Sequence, residues 1–285
     1  MRISKRNRIP NATNNYMDII SNSEISAIFI FTRHDKHVEI AIEGIKANKA
    51  IFMEKPLAIN LKELTLIEEA LMNYDKTFMV GFNRRYSEHI QYIKSKLEKR
   101  VNPIVSVYRQ NDKNYPKHHW IRGPEGGGII IGHFCHIIDL FNYLIDAEIH
   151  SISGLKVNKR MQSYYDGDNY VLTLNYIDGS VINIVHTTLG SNIYPKDKCE
   201  IFYDGKVIEL NNYQTTKIYS NNKVKTIVSK KDKGYYQEMV KFVDLVYNSD
   251  SNLKLNKKII NMTKLLFTIQ NQFTKRSNFN ITLNN

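Results

Sequence analysis

Two short stretches of the chain combine side chains that can move a proton or steady a negative charge. In IFMEKPLAIN, residues 51–60, Glu54, Lys55 and Pro56 directly follow an apolar run. Pro56 disfavours helical backbone at the residue before it, so Lys55 is expected to be extended and its ammonium aimed by the main chain. A lysine so held is a hydrogen-bond donor and a positive charge for a substrate oxygen. In GGGIIIGHFCHIIDLFNYL, Gly126 to Gly128 lead into an apolar helix carrying His133, His136 and Asp139 near its start. Consecutive glycines let the backbone come close to a ligand or partner. A histidine in a first helical turn feels the positive end of the helix dipole, which disfavours imidazolium and leaves a ring able to take a proton. An isolated Glu-Lys-Pro is ordinarily a solvated surface turn, and it is the second stretch that gives the first its weight.

The hydrophobic pattern sets out the elements that must position these groups. Over the first 83 residues, short apolar runs alternate with longer stretches of helical period. SAIFIFT (26–32), AIFME (50–54) and TFMVGF (77–82) read as the continuous apolar strands that a parallel sheet buries on both faces. HVEIAIEGIKANK and LKELTLIEEALMNYD carry apolar residues three and four apart and read as crossover helices. This β-α-β-α-β order predicts part of a doubly wound sheet, whose ligands sit beyond the carboxyl ends of the strands. TRHDKH (32–37) and Glu54-Lys55-Pro56 both fall there. After about residue 102 the period changes to two in IVSVYRQ, in NYVLTLNYIDGSVINIVHTT with Asp178-Gly179 as its turn, and in CEIFYDGKVIEL with Asp204-Gly205. These predict antiparallel hairpins. One helix is expected from about Ile129 to Leu144, two more in YYQEMVKFVDLVYN and KIINMTKLLFTIQNQF, and a boundary between domains near residues 84–102.

Bulk properties narrow the function classes. The 285 residues suffice for two ordinary domains with real cores. Lys and Arg number 40 against 28 Asp and Glu, a formal charge of +12, and such an excess can signal nucleic acid, anionic membrane or acidic substrates. Apart from MRISKRNR the lysines are scattered among Asn, Ile and Tyr and form no stripe, so no nucleic-acid partner is expected. The most apolar stretch, IIIGHFCHIIDLFNYLI, is broken by two histidines and an aspartate and falls short of the roughly 18 clean apolar residues of a spanning helix, so no membrane segment is expected. Cys135 and Cys199 cannot make a disulfide framework and the amino end carries no export signal, which points to the cytoplasm. His133, Cys135, His136 and Asp139, with His118 and His119, lack a matching second cluster, and no metal is expected. Cys135 reads as a small buried residue, and Asp139 as a support for His136 or a backbone cap. Tyr164, Tyr165 and Tyr170 read as strand packing rather than a base-stacking platform.

In order and spacing, TRHDKHVEIAIEGIKANKAIFMEKPLAI with its preceding strand, GFNRRY at 81–86, and the triple glycine leading to CHIIDLFNYL at 135–144 resemble the Gfo/Idh/MocA oxidoreductase family through nearly the whole chain. HWIRGPEGGGIIIGHFCHIIDL with YPKDKCEIFYDG (194–205) is similar to the branch in which such a module is sometimes fused to a zinc-type alcohol dehydrogenase, although nothing here resembles the zinc domain. The resemblance implies an α/β fold, with an incomplete Rossmann domain over 1–100 and, over 101–285, an α/β substrate and oligomerisation domain with an open, mostly antiparallel sheet. It implies oxidation of a sugar, polyol or nucleotide-sugar hydroxyl, or reduction of the ketone, by hydride transfer with NAD or NADP. Carried over, Lys55 orients the substrate hydroxyl and stabilises alkoxide charge, and His136 is the general base. Thr32, His37, Glu54 and Asn83 would line the nicotinamide side, and Lys55, Trp120 and Arg122 would approach the cofactor. Tyr194 and Lys196 would join Lys55 and His136 around the sugar. A homo-oligomer packed through the open sheet is implied as well.

Two departures from the family pattern matter. A strand, G-x-G-x-x-G, helix and second strand normally open such a chain; this sequence has none of them, so a truncated cofactor half and weak or no nicotinamide binding by the chain alone are expected. The missing neighbour would also leave an apolar strand edge unpaired. The family's aspartate four residues before the catalytic histidine is Gly132 here, with His133 beside it as a partial substitute or a buried structural ring. An oxidoreductase dependent on missing sequence, a non-catalytic remnant, and a carbohydrate-binding or regulatory module are the competing functions.

Overall fold

The computed structural model describes residues 6–157 and 168–283; Tyr164 and Tyr165 lie outside them. Strands β1 (Ala27–Ile30), β2 (Ala50–Glu54) and β3 (Phe78–Gly81) form a parallel sheet in that order, joined by helices α1 (His37–Lys46) and α2 (Leu61–Leu71). Asn60 caps α2, accepting from the Glu63 amide at 2.9 Å. β2 is buried on both faces because each face has its own cover. Ile51 and Met53 join the main core with Val38 and Ala41 of α1, and Phe52 packs on Phe242 and Leu245 of α5 (Tyr235–Tyr247), which arrives from the far end of the chain. Burying a side chain such as Phe242 contributes about 1.5–3 kcal/mol. Among the described strands β1 pairs with β2 alone, and Phe29 and Phe31 beside its free edge are 45% and 61% exposed.

After helix α3 (Glu88–Leu97), which occupies the stretch expected as a junction, the chain builds a nine-stranded sheet. Its strands are β4 (Val105–Asn111), β5 (Ile149–Lys156), β6 (Tyr170–Tyr176), β7 (Val181–Thr187), β8 (Asp197–Tyr203), β9 (Lys206–Asn211), β10 (Thr215–Ser220), β11 (Lys223–Val228) and β12 (Asn278–Thr282). The order is β11-β10-β9-β8-β4-β7-β6-β5-β12, antiparallel throughout except for the parallel pair β4–β7. The two expected hairpins form at the expected turns, where Gly179, Asp204 and Gly205 take positive φ. Helices α4 (Cys135–Ile145) and α6 (Leu253–Lys275) put Ile138, Phe141, Leu266 and Ile269 into one core with Ile152, Leu174, Ile184 and Ile201 of the sheet. No helix among the described residues is long and apolar enough to cross a membrane.

α4 has a π-helical preface, Ile130–Phe134, so the helix expected from Ile129 is continuous but begins with a widened turn. Gly127 and Gly128 before it adopt φ +74° and +95°. A Cβ on Gly126 would sit 2.3 Å from Ile121 Cα, and one on Gly127 would sit 2.8 Å from Ile59 Cβ. The close approach allowed by the glycines is thus to the protein's own chain.

Candidate active site

At the carboxyl ends of β2 and β3 the parallel sheet meets the nine-stranded one, and a cavity of about 220 Å³ lies between them. Glu54 and Lys55 enter it from the end of β2, and Asn83 and Arg84 from just beyond β3. Gln110 and Tyr115 come from the end of β4 and the loop after it, His133 and His136 from the π–α4 helix, and Lys196, Lys233 and Tyr235 from the starts of β8 and α5.

Lys55, joined to Pro56 by a cis peptide bond, donates to the Gly132 carbonyl at 2.7 Å. A Cβ on Gly132 would lie 2.7 Å from Ile121 Cδ1 and 3.0 Å from His34 Cε1, so a larger residue there would require those side chains to shift. His136 is held neutral, its pKa well below the ordinary histidine value because burial and then the Lys55 charge oppose imidazolium. The cause differs from the dipole expectation, since the π turn ahead of it makes His136 an interior residue of a continuous helix. Its Nδ1 is sealed from solvent with no hydrogen-bond partner among the described residues, and its ring meets Phe82 edge-on at 6.0 Å. Asp139 does not support it: that carboxylate pairs with Arg85 in a buried bridge, Nε to Oδ2 3.0 Å. Glu54 has its pKa raised by burial, with Lys55 opposing.

Two buried carboxylates organise the cations of the cavity. Asp112, just past β4, accepts from His133 Nδ1 at 3.0 Å and from Lys196 Nζ at 2.6 Å. Burial would raise its pKa, but these partners hold it well below the usual carboxylate range. His133 itself is pushed down to about 4 by burial, against the pull of Asp112. Asp197 accepts from Lys233 Nζ at 2.8 Å and from the Tyr108 hydroxyl at 2.8 Å, while Arg84 donates to that hydroxyl at 2.8 Å. Arg84 and Lys233 hold Asp197 low against burial, and burial with the Arg84 charge brings Lys233 down to about 8.

Of the residues expected at the site, Glu54, Lys55, Asn83, His136 and Lys196 line this cavity, and Thr32, His37, Trp120, Arg122 and Tyr194 do not. Thr32 is exposed past β1. His37 is buried with both ring nitrogens against backbone, Nδ1 3.1 Å from Pro56 O and Nε2 3.2 Å from Thr32 O. Trp120 packs edge-on against His34 at 4.8 Å, and Arg122 is in a buried pair with Asp168 at 2.9 Å. Tyr194 is exposed beneath the Arg109 guanidinium, 4.5 Å from its ring centre. The residues not anticipated are Arg84, Gln110, Asp112, Tyr115, Asp197, Lys233 and Tyr235. Arg84 lies in GFNRRY and Asp197 in YPKDKCEIFYDG, segments noted for their resemblance, but neither residue was assigned a role.

Comparison with known proteins agrees with this architecture. The family description "Oxidoreductase family, NAD-binding Rossmann fold" matches residues 2–82, and "GFO/IDH/MocA C-terminal domain" matches 99–209. The chain is 28% identical over 174 residues to an uncharacterized oxidoreductase, YrbE, of Bacillus subtilis, an alignment covering 59% of this chain and 50% of that protein. It is 25% identical over 169 residues to a myo-inositol 2-dehydrogenase of Thermotoga maritima, covering 58% and 50%. The chain therefore spans about half the length of these curated relatives. Levoglucosan dehydrogenase in complex with NADH has the same fold, with a TM-score of 0.82 at 19% identity over 99% of this chain and 87% of the other. With both halves of one family's pattern matched over more than half of its residues, the chain belongs to the Gfo/Idh/MocA oxidoreductase family.

Proposed function

We propose that the protein is an NAD(P)-linked oxidoreductase of a sugar or polyol hydroxyl, with Lys55 and His136 bracketing the reacting oxygen. The observation that carries this reading is that one cavity, at the carboxyl ends of parallel strands, holds both side chains. Residues 1–100 would form the cofactor side and 101–285 the substrate and oligomerisation side. The position of Glu54 and Asn83 on the same wall fits a nicotinamide ring, which when bound supplies the hydride acceptor or donor. No residues fit the pyrophosphate in the same way, because the sequence contains no G-x-G-x-x-G. Cofactor binding by these residues is therefore proposed to be weak.

Lys55 donates to the substrate oxygen and stabilises negative charge on it, and a helix histidine takes the hydroxyl proton. The relatives named for inositol and levoglucosan support the polyol class, and the cations Lys55, Lys196 and Lys233 also suit an acidic sugar or nucleotide-sugar. The motif around Trp120 and Gly126 supports a place in the branch sometimes fused to a zinc-type alcohol dehydrogenase. Assembly through the open sheet is supported by its exposed apolar face, where Val105 and Phe202 sit opposite each other on adjacent strands. The lack of a G-x-G-x-x-G in these residues favours the alternatives of a non-catalytic remnant or a carbohydrate-binding or regulatory module.

The test is NAD-linked oxidation of myo-inositol, followed by NADH absorbance. Lys55→Met is expected to lower kcat/KM at least ~100-fold. Turnover undiminished in Lys55→Met would sink the assignment. Tight NADH binding by the chain alone would overturn the account of the cofactor side.

A further inference from the structure

The cavity contains two imidazoles whose surroundings differ. Asp112 is almost fully buried, and its ionised carboxylate can only accept hydrogen bonds. His133 Nδ1, 3.0 Å from it, must therefore carry the ring proton, which leaves Nε2 as a lone pair. No described residue bonds that Nε2, and the ring lines the cavity. His186 does not compete for the carboxylate. Its Nδ1 sits 2.7 Å from the Asp168 carbonyl and so holds the proton, and its Nε2, 3.9 Å from Asp112, has none to give. His136 is the opposite case. Placing a proton on its sealed, unpartnered Nδ1 would bury an unsatisfied donor, a cost of about 1–3 kcal/mol. The proton therefore belongs on Nε2, the nitrogen on the cavity side.

Resting on the reaction proposed above, we propose that the two histidines divide its proton chemistry: His136 donates through Nε2–H to the reacting oxygen, and His133, oriented by Asp112, takes the hydroxyl proton on its Nε2. As the substrate O–H bond breaks, its hydrogen forms an N–H bond on His133. The resulting imidazolium keeps its Nδ1–H on Asp112, while an oxidised nicotinamide bound beside Glu54 and Asn83 would supply the acceptor for the carbon-bound hydrogen and its two electrons. The dyad would do the work of the carboxylate that the family resemblance leads one to expect at Gly132. Asp112 and Lys196 face His133 from the nine-stranded sheet, Lys55 and His34 from the parallel one, Tyr115 from its loop at 5.4 Å between rings, and His136 from its own helix. Protonation of His136 beside Lys55 would leave its buried Nδ1–H unpaired, whereas the His133 imidazolium has a carboxylate waiting.

Long-range ¹H–¹⁵N spectra of the full chain labelled at histidine test this without turnover. At neutral pH, His133 is expected as the Nδ1–H tautomer and His136 as Nε2–H. Asp112→Asn is expected to erase the His133 preference while leaving His136 unchanged. In myo-inositol oxidation, His133→Gln is expected to lower kcat at least ~100-fold with KM held within a few-fold. An Nε2–H His133, an Nδ1–H His136, or full kcat in His133→Gln overturns the proposal. Should Asp112→Asn fail to fold, the wild-type spectrum decides. If the wild-type chain binds NADH yet does not oxidise inositol, the reaction proposed above fails, and the spectrum still decides the tautomers.

Discussion

Gly132 occupies the position at which the family resemblance leads one to expect an aspartate, and its surroundings leave little room for one. Its carbonyl is the acceptor for Lys55, and the space a Cβ would need is taken by Ile121 and His34. Restoring the family pattern with Gly132→Asp is expected to destabilise the fold by about 1–3 kcal/mol, read as a lower urea midpoint at unchanged m, with no gain in activity. At this scale the sequence was legible where a local constraint aims a side chain. Pro56 marks Lys55, and helical spacing puts His133 and His136 on neighbouring turns. It was silent on the roles of Asp112 and Asp197, which sit in RQNDKNY and YPKDKCE among lysines, with no local pattern that marks either as buried. Their burial comes from partners far along the chain, Lys196 for one and Arg84 for the other, and no local pattern encodes such pairs.

Helix α5 was readable as an amphipathic helix, but its docking site was not, because the residues it covers lie almost two hundred positions earlier. It covers the second face of β2, and in doing so it buries Glu238 completely, with neither carboxyl oxygen bonded among the described residues. Burial, reinforced by Glu54 and Asp139, pushes the Glu238 pKa up to about 9. Between the ordinary value of 4.5 and about 9, the folded protein keeps a proton that the unfolded chain has released. Stability therefore falls as pH rises through that window, by up to ~1.4 kcal/mol per pH unit. Glu238→Gln removes this loss, so its advantage over wild type in urea unfolding is expected to widen from about pH 5 to about pH 8. A constant difference would show that Glu238 is solvated. The strands missed in the sequence, β5, β10, β11 and β12, extend the sheet at its two ends. Their alternation is weak because much of what they bear faces solvent, most completely in β11.

For the molecule as a whole, histidine burial sets the acid limit. Burial lowers the pKa of His34 to about 3 and of His133 to about 4, and lowers those of His37, His89, His136 and His186 as well. Each binds a proton more readily when unfolded, so stability is full above the ordinary histidine value and is lost as pH falls below it. Six such groups acting together predict cooperative acid unfolding beginning just below about pH 6.5, with Tm from circular dichroism falling at each step down. A flat Tm down to about pH 5 would contradict it. The two-sheet architecture was legible from the change of hydrophobic period near residue 102, whereas the parallel β4–β7 pairing that ties the hairpins into one sheet was not, since it joins strands far apart in sequence. One consequence concerns handling the protein at the bench. The bare edge of β1, flanked by Phe29 and Phe31, offers a ready row of backbone donors and acceptors to any extended segment that drifts past, including the same edge of another copy. Such an edge is expected to pair with others of its kind, so the turbidity of a stored solution is expected to rise with protein concentration.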